Sequence, residues 1–66
     1  MTALALAILA HRGAIAATKE AHVMARMHRG DPQRARVVVL REDDELATGR
    51  ALLAALDATN GGRSEG

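Results

Sequence analysis

Apolar residues in the first half of the chain recur at the spacing of an α-helix. Thr2 is a residue type that caps helix N-termini, and no proline interrupts the segment that follows it. At about 100° per residue, four apolar positions fall on one side of this helix. They are Leu9, Ala16, Val23 and Met27. The pattern predicts one long helix over residues 2–29, with a narrow apolar side that lets another helix approach closely.

Gly30, Asp31 and Pro32 interrupt this pattern. Glycine adopts the left-handed conformation that ends many helices, aspartate caps the next helix, and proline fits the first helical position. The three residues therefore predict a turn between two helices, the second running from Pro32 to about Ala58. Three apolar residues recur along it at seven-residue spacing: Val39, Leu46 and Leu53.

Residues 36–41, Arg-Val-Val-Val-Leu-Arg, support a competing interpretation. Three consecutive β-branched residues favour a strand over a helix, and turn-forming residues lie on both sides of them. We therefore expect a mainly α fold in which a long N-terminal helix, a short Val-rich strand and a C-terminal helix follow one another. The alternative is an all-α helical hairpin. Because one strand cannot stand alone, the strand version requires pairing with a second chain.

The chain is expected to form one small helical domain over residues 1–58. Residues 59–66, Thr-Asn-Gly-Gly-Arg-Ser-Glu-Gly, are expected to be a flexible tail, because Asn60 and Gly61 are residue types that end helices.

The composition leaves little material for a core. Alanine makes up 15 of the 32 hydrophobic residues, and the chain of 66 residues has no Phe, Tyr, Trp or Cys. Alanine buries little more than a methyl group, whereas aromatic side chains bury the largest areas. A chain this short, with no disulfide, is poorly equipped to be stable by itself. We therefore expect a non-catalytic interaction protein, acting as a homo-oligomer or as an accessory subunit of a larger complex.

The predicted interface with that partner combines the apolar side of the first helix with the apolar residues of the second segment. Its residues are Leu9, Ala16, Val23, Met27, Val37, Val38, Val39, Leu40, Leu46 and Leu53.

Basic residues support an alternative function, a small nucleic-acid-binding regulator. Arg12, Lys19 and Arg26 lie on one line of the first helix at seven-residue spacing, and further arginines follow it. Such a stripe is able to follow a phosphate backbone, although base stacking is excluded because the chain has no aromatic residue. The candidate contacts are Arg12, Lys19, Arg26, Arg29, Arg34 and Arg36.

Catalysis, cofactors and metals are not expected. The three histidines, His11, His22 and His28, lack the spacing of a metal site, and no nucleophile or phosphate-loop motif is present. The acidic run 42–45 lacks the alternating ligands and glycine of a calcium loop. A membrane partner is not expected either, because the apolar start is short and the first helix has no aromatic anchor. A cytoplasmic location is the default expectation.

Overall fold

A computed structural model of the chain describes residues 2–64, with side chains described for residues 2–60. Two α-helices, α1 over Ala3–Met27 and α2 over Pro32–Ser64, are joined by a short turn. They pack against each other as an antiparallel hairpin. The structure confirms the mainly α fold and matches its alternative form, the all-α helical hairpin.

The N-termini of both helices and the turn between them follow the expected capping chemistry. The Thr2 hydroxyl accepts a hydrogen bond of 3.0 Å from the Ala5 amide at the start of α1. Gly30 adopts a left-handed φ of 86° in the turn. Asp31 Oδ1 then accepts a 2.9 Å bond from the Gln33 amide, which caps α2. These contacts confirm the turn predicted at Gly30–Pro32.

The predicted strand is wrong: residues 36–41 are α-helical throughout. Asp31 and Pro32 start α2 immediately after the turn, so the Val-rich run lies inside a helix that is already nucleated. Val38 packs half-buried toward α1, whereas a strand at this place would have no partner within the described residues. Tertiary packing and capping therefore outweigh the β preference of three consecutive valines.

The second helix also ends later than expected. It continues through Asn60 to Ser64 instead of stopping near Ala58. Residues 65–66 of the predicted tail lie outside the described residues.

Small side chains line the contact between the two helices. On α1 the least exposed positions follow alternating three- and four-residue steps, the spacing of a coiled-coil seam. Ala14, Thr18 and Ala21 are buried at its centre, with 8%, 7% and 6% exposure. We call the inward positions of α1 the hairpin seam: Leu4, Ala7, His11, Ala14, Thr18, Ala21 and Ala25. Alanine at these positions allows the two backbones to approach closely.

Two side-chain hydrogen bonds tie the helices together across this seam. Thr18 Oγ1 lies 2.9 Å from the Ala14 carbonyl of its own helix and 3.1 Å from the Arg41 carbonyl of α2. His11 Nδ1 lies 3.0 Å from Thr48 Oγ1. Since hydrogen bonds depend on direction, these contacts fix the register of α1 against α2 more sharply than alanine packing does.

Two glycines within the helices provide a test of this packing. A methyl group added at Gly13 meets no atom within 4 Å, whereas at Gly49 it lies 3.2 Å from His11 Cε1. Gly13→Ala should therefore raise the free energy of unfolding by about 0.5–1 kcal/mol through helix propensity. Gly49→Ala should gain less or nothing, because the imidazole must shift. Urea unfolding of both variants checks the difference, and an equal gain at the two positions would contradict the close approach at Gly49.

Candidate interaction surfaces

The hairpin leaves most of its large apolar residues outside. Among the described residues, no large side chain is fully buried, and eleven large hydrophobic residues are 36% exposed or more. They are Leu6, Ile8, Leu9, Val23, Met27, Val37, Val39, Leu40, Leu46, Leu53 and Leu56. The buried positions are thus small, and most of the large apolar residues lie outside, the reverse of a self-sufficient globular core.

One broad side of the hairpin carries the larger aliphatic residues. His22 Nε2 lies 3.3 Å from Glu42 Oε2, which shows that these two residues share a side. On α1, Ile8 and Ile15 lie fourteen and seven residues before His22 and therefore share its side. On α2, Leu46, Gly49, Leu53 and Leu56 lie four, seven, eleven and fourteen residues after Glu42 and share its side in the same way. We call this side the leucine face, comprising Ile8, Ile15, Leu46, Gly49, Leu53 and Leu56.

A shallow groove runs between the helices on the leucine face. His11, Leu46, Gly49 and Leu53 are among the residues that line it. The Thr48 hydroxyl is directed at the carbonyl oxygens of its own helix, Asp44 and Glu45 at 3.0 and 3.1 Å. The contact between His11 Nδ1 and Thr48 Oγ1 holds the imidazole ring beside Gly49 in the groove.

The opposite broad side is built mainly from alanine. We call it the alanine face, with Leu6, Ala10, Ala17, Leu40, Ala47 and Ala51 as its members. A groove on this side lies between Ala17, Met24 and Val37, and charged Glu20, Arg34 and Arg41 also line it. Four of the six members of this face are alanine, which buries little more than a methyl group.

The apolar row predicted on the first helix points away from α2. Leu9, Ala16, Val23 and Met27 are all exposed, because α2 packs on the other side of α1. On α2, Val38 is half-buried toward α1, whereas its neighbours Val37, Val39 and Leu40 are exposed, as are Leu46 and Leu53. The role of these positions as a partner interface stays a prediction.

The basic residues divide into two groups. Arg12, Lys19 and Arg26 are exposed in a row along α1, at the edge of the leucine face. The other group lies around the turn: Arg29, Arg34 and Arg36. Of these, Arg34 is half-buried, with Nε 3.9 Å from Asp31 Oδ2. Within the described residues, the row on α1 forms no salt bridge.

The described residues contain neither a metal-binding cluster nor a membrane-spanning helix. No three His, Asp or Glu side chains lie close enough together to hold a metal ion. Neither helix contains a stretch apolar enough to cross a membrane.

Comparison with known proteins gave no relative: no family model, no curated protein and no solved structure matches the chain.

The sequence reasoning missed the residues that hold the hairpin together. His11, Thr18, Thr48 and Gly49 were not singled out as contact positions, although they lie on the two facing sides. The signal that identifies them is the alternating three- and four-residue spacing of the seam, in which small residues replace the usual leucines. Bulky apolar residues are a misleading guide here, because most of them lie on the sides of the helices that point away from the seam.

Proposed function

We propose that this protein is a non-catalytic interaction protein, acting as a homo-oligomer or as an accessory subunit of a larger complex. The observation that supports it best is the inverted distribution of apolar residues. The buried residues of the described hairpin are only Ala14, Thr18 and Ala21, whereas eleven large hydrophobic residues stay exposed. Contiguous apolar surface of this kind is characteristic of sites where another protein binds.

The shape of the hairpin supports a binding role over a catalytic one. Its grooves are shallow and bounded by only two helices. An active site encloses its substrate on several sides, and two helices provide walls on two. The proposal keeps the cytoplasmic location expected from the sequence.

Sedimentation velocity combined with circular dichroism at micromolar concentration tests this function. We expect one of two results: a helical oligomer, or a monomer with little helix that gains helix only with a partner. Both results mean that the exposed apolar surface needs a cover. A monomer that is fully helical and unfolds cooperatively by itself would contradict the proposal.

The row of Arg12, Lys19 and Arg26 favours a second function, nucleic-acid binding. These side chains are exposed, aligned and free of salt bridges within the described residues, as contacts to a phosphate backbone require. In this alternative the protein is a small regulator that binds through charge and groove shape.

Salt dependence of binding to a random-sequence duplex tests this second function. Each phosphate contact contributes a slope of about 0.9 in log K against log salt, so Lys19→Ala with Arg26→Ala should lower the slope by nearly two. Arg50→Ala, an exposed arginine on α2 outside the row, is the matched control and should change the slope little. Absence of binding to the duplex at about 50 mM salt would exclude this function.

A further inference from the structure

The chain exposes more surface than a compact monomer of its mass. A compact monomer of 6.9 kDa exposes about 4,000 Å². This chain exposes 5164 Å², in a body 55 Å long and 12 Å thick in its shortest direction. The excess of roughly 1,200 Å² is more than the ~800 Å² that each partner contributes to a standard stable interface.

The leucine face is the broad side best suited to form such an interface. Leu46 and Leu53 are 61% and 67% exposed there, and Ile8 and Leu56 are 40% and 39% exposed beside them. Charged side chains line both grooves, Glu45 and Arg50 on the leucine face and Glu20, Arg34 and Arg41 on the alanine face. The apolar lining differs: it is mainly leucine on the leucine face, whereas two of the four apolar residues in the other groove are alanine. Covering the leucine-face groove therefore removes more apolar surface from water.

The leucine face is also divided along its length. Toward the end distant from the turn it is apolar, with Ile8, Leu53 and Leu56. Toward the turn it is charged, with Lys19 and Arg26 on α1 and Glu42 on α2, and Arg12 lies at its edge beside the apolar part. Lys19 and Glu42 have opposite signs and lie on different helices, which allows a second copy of the same face to pair them.

Two simple two-fold arrangements can bring two leucine faces together. Only one of them places the apolar half of each face on the apolar half of the other and the charged half on the charged half. An axis parallel to the helices places both turns at the same end and lays each α1 antiparallel on α2 of the other copy. The apolar ends then meet each other, and Lys19 lies near Glu42 of the partner subunit. An axis perpendicular to the helices instead places the apolar end of one copy against the charged end of the other, where burial of charge is unfavourable.

We propose that the partner is a second copy of this chain. Two hairpins pack through their leucine faces about a two-fold axis parallel to the helices, forming a four-helix bundle with both turns at one end. This inference rests on the proposed interaction function and specifies its partner. His11, held beside Thr48 in the groove, lies inside the bundle, with its ring filling the space next to Gly49.

A matched pair of substitutions tests which face is used. Leu53→Arg changes the leucine face and Leu40→Arg the alanine face, at positions of the same helix with 67% and 65% exposure. Sedimentation equilibrium should show a wild-type dimer. Leu53→Arg should weaken it at least a hundredfold, because each dimer loses two leucines from its interface. Leu40→Arg should stay within about threefold of wild type, as a surface substitution distant from the interface does.

The possible contrary results separate this inference from the proposed function. A wild-type dimer dissociated by Leu40→Arg but not by Leu53→Arg, or by neither, overturns the leucine-face dimer and leaves the interaction function standing. A wild-type chain that is a poorly helical monomer overturns self-association and supports the accessory-subunit form. A stable helical monomer overturns both.

Engineered cysteines test the direction of packing, since the natural chain has none. Lys19→Cys mixed with Glu42→Cys should give a mixed disulfide on oxidation, and Lys19→Cys mixed with Asp44→Cys should not. Mixing separate variants ensures that the bond joins two chains. A mixed disulfide between Lys19→Cys and Arg12→Cys, with none to Glu42→Cys, would show α1 lying on α1 and would overturn the proposed axis.

Discussion

Close approach of two helices through small side chains is the constraint on which the rest of this structure depends. Ala14, Thr18 and Ala21 bring the backbones near enough for the Thr18 hydroxyl to reach the Arg41 carbonyl on the other helix. The same residues bury little apolar area, so the contact gives the hairpin its geometry but little stability. The leucines and isoleucines, which bury more area, are placed on the outside, where only another molecule can cover them.

Much of this fold follows from local chemistry along the chain. The hydroxyl of Thr2, the left-handed Gly30 and the carboxylate of Asp31 each perform the capping role that their residue type predicts. The helical state of residues 36–41 does not follow in this way, because valine prefers strands. It depends on the cap at Asp31 and on Val38 meeting α1, which are facts of sequence context and tertiary packing.

The interaction surface was predictable only in part. The bulky residues Leu46 and Leu53 were expected to be interface positions, and they are exposed. The side of α1 that packs against α2 could not be predicted from side-chain size, because the hairpin seam consists mainly of Ala, Thr and His. Once that side is known, the spacing of Ile8, Ile15 and His22 places them beside the leucines of α2. Under the proposed function, the poor internal core has a direct explanation: the residues that would stabilise a monomer would form a binding surface instead.

Concentration dependence of thermal stability tests this account most directly. If folding and association are one process, a hundredfold rise in protein concentration adds about 2.7 kcal/mol per mole of dimer. With an unfolding entropy of about 2.1 cal/mol/K per residue, the midpoint Tm followed by circular dichroism should rise by roughly 10 °C. A Tm that stays constant over the same range, with a cooperative transition, would show that the hairpin is stable alone and would contradict the account.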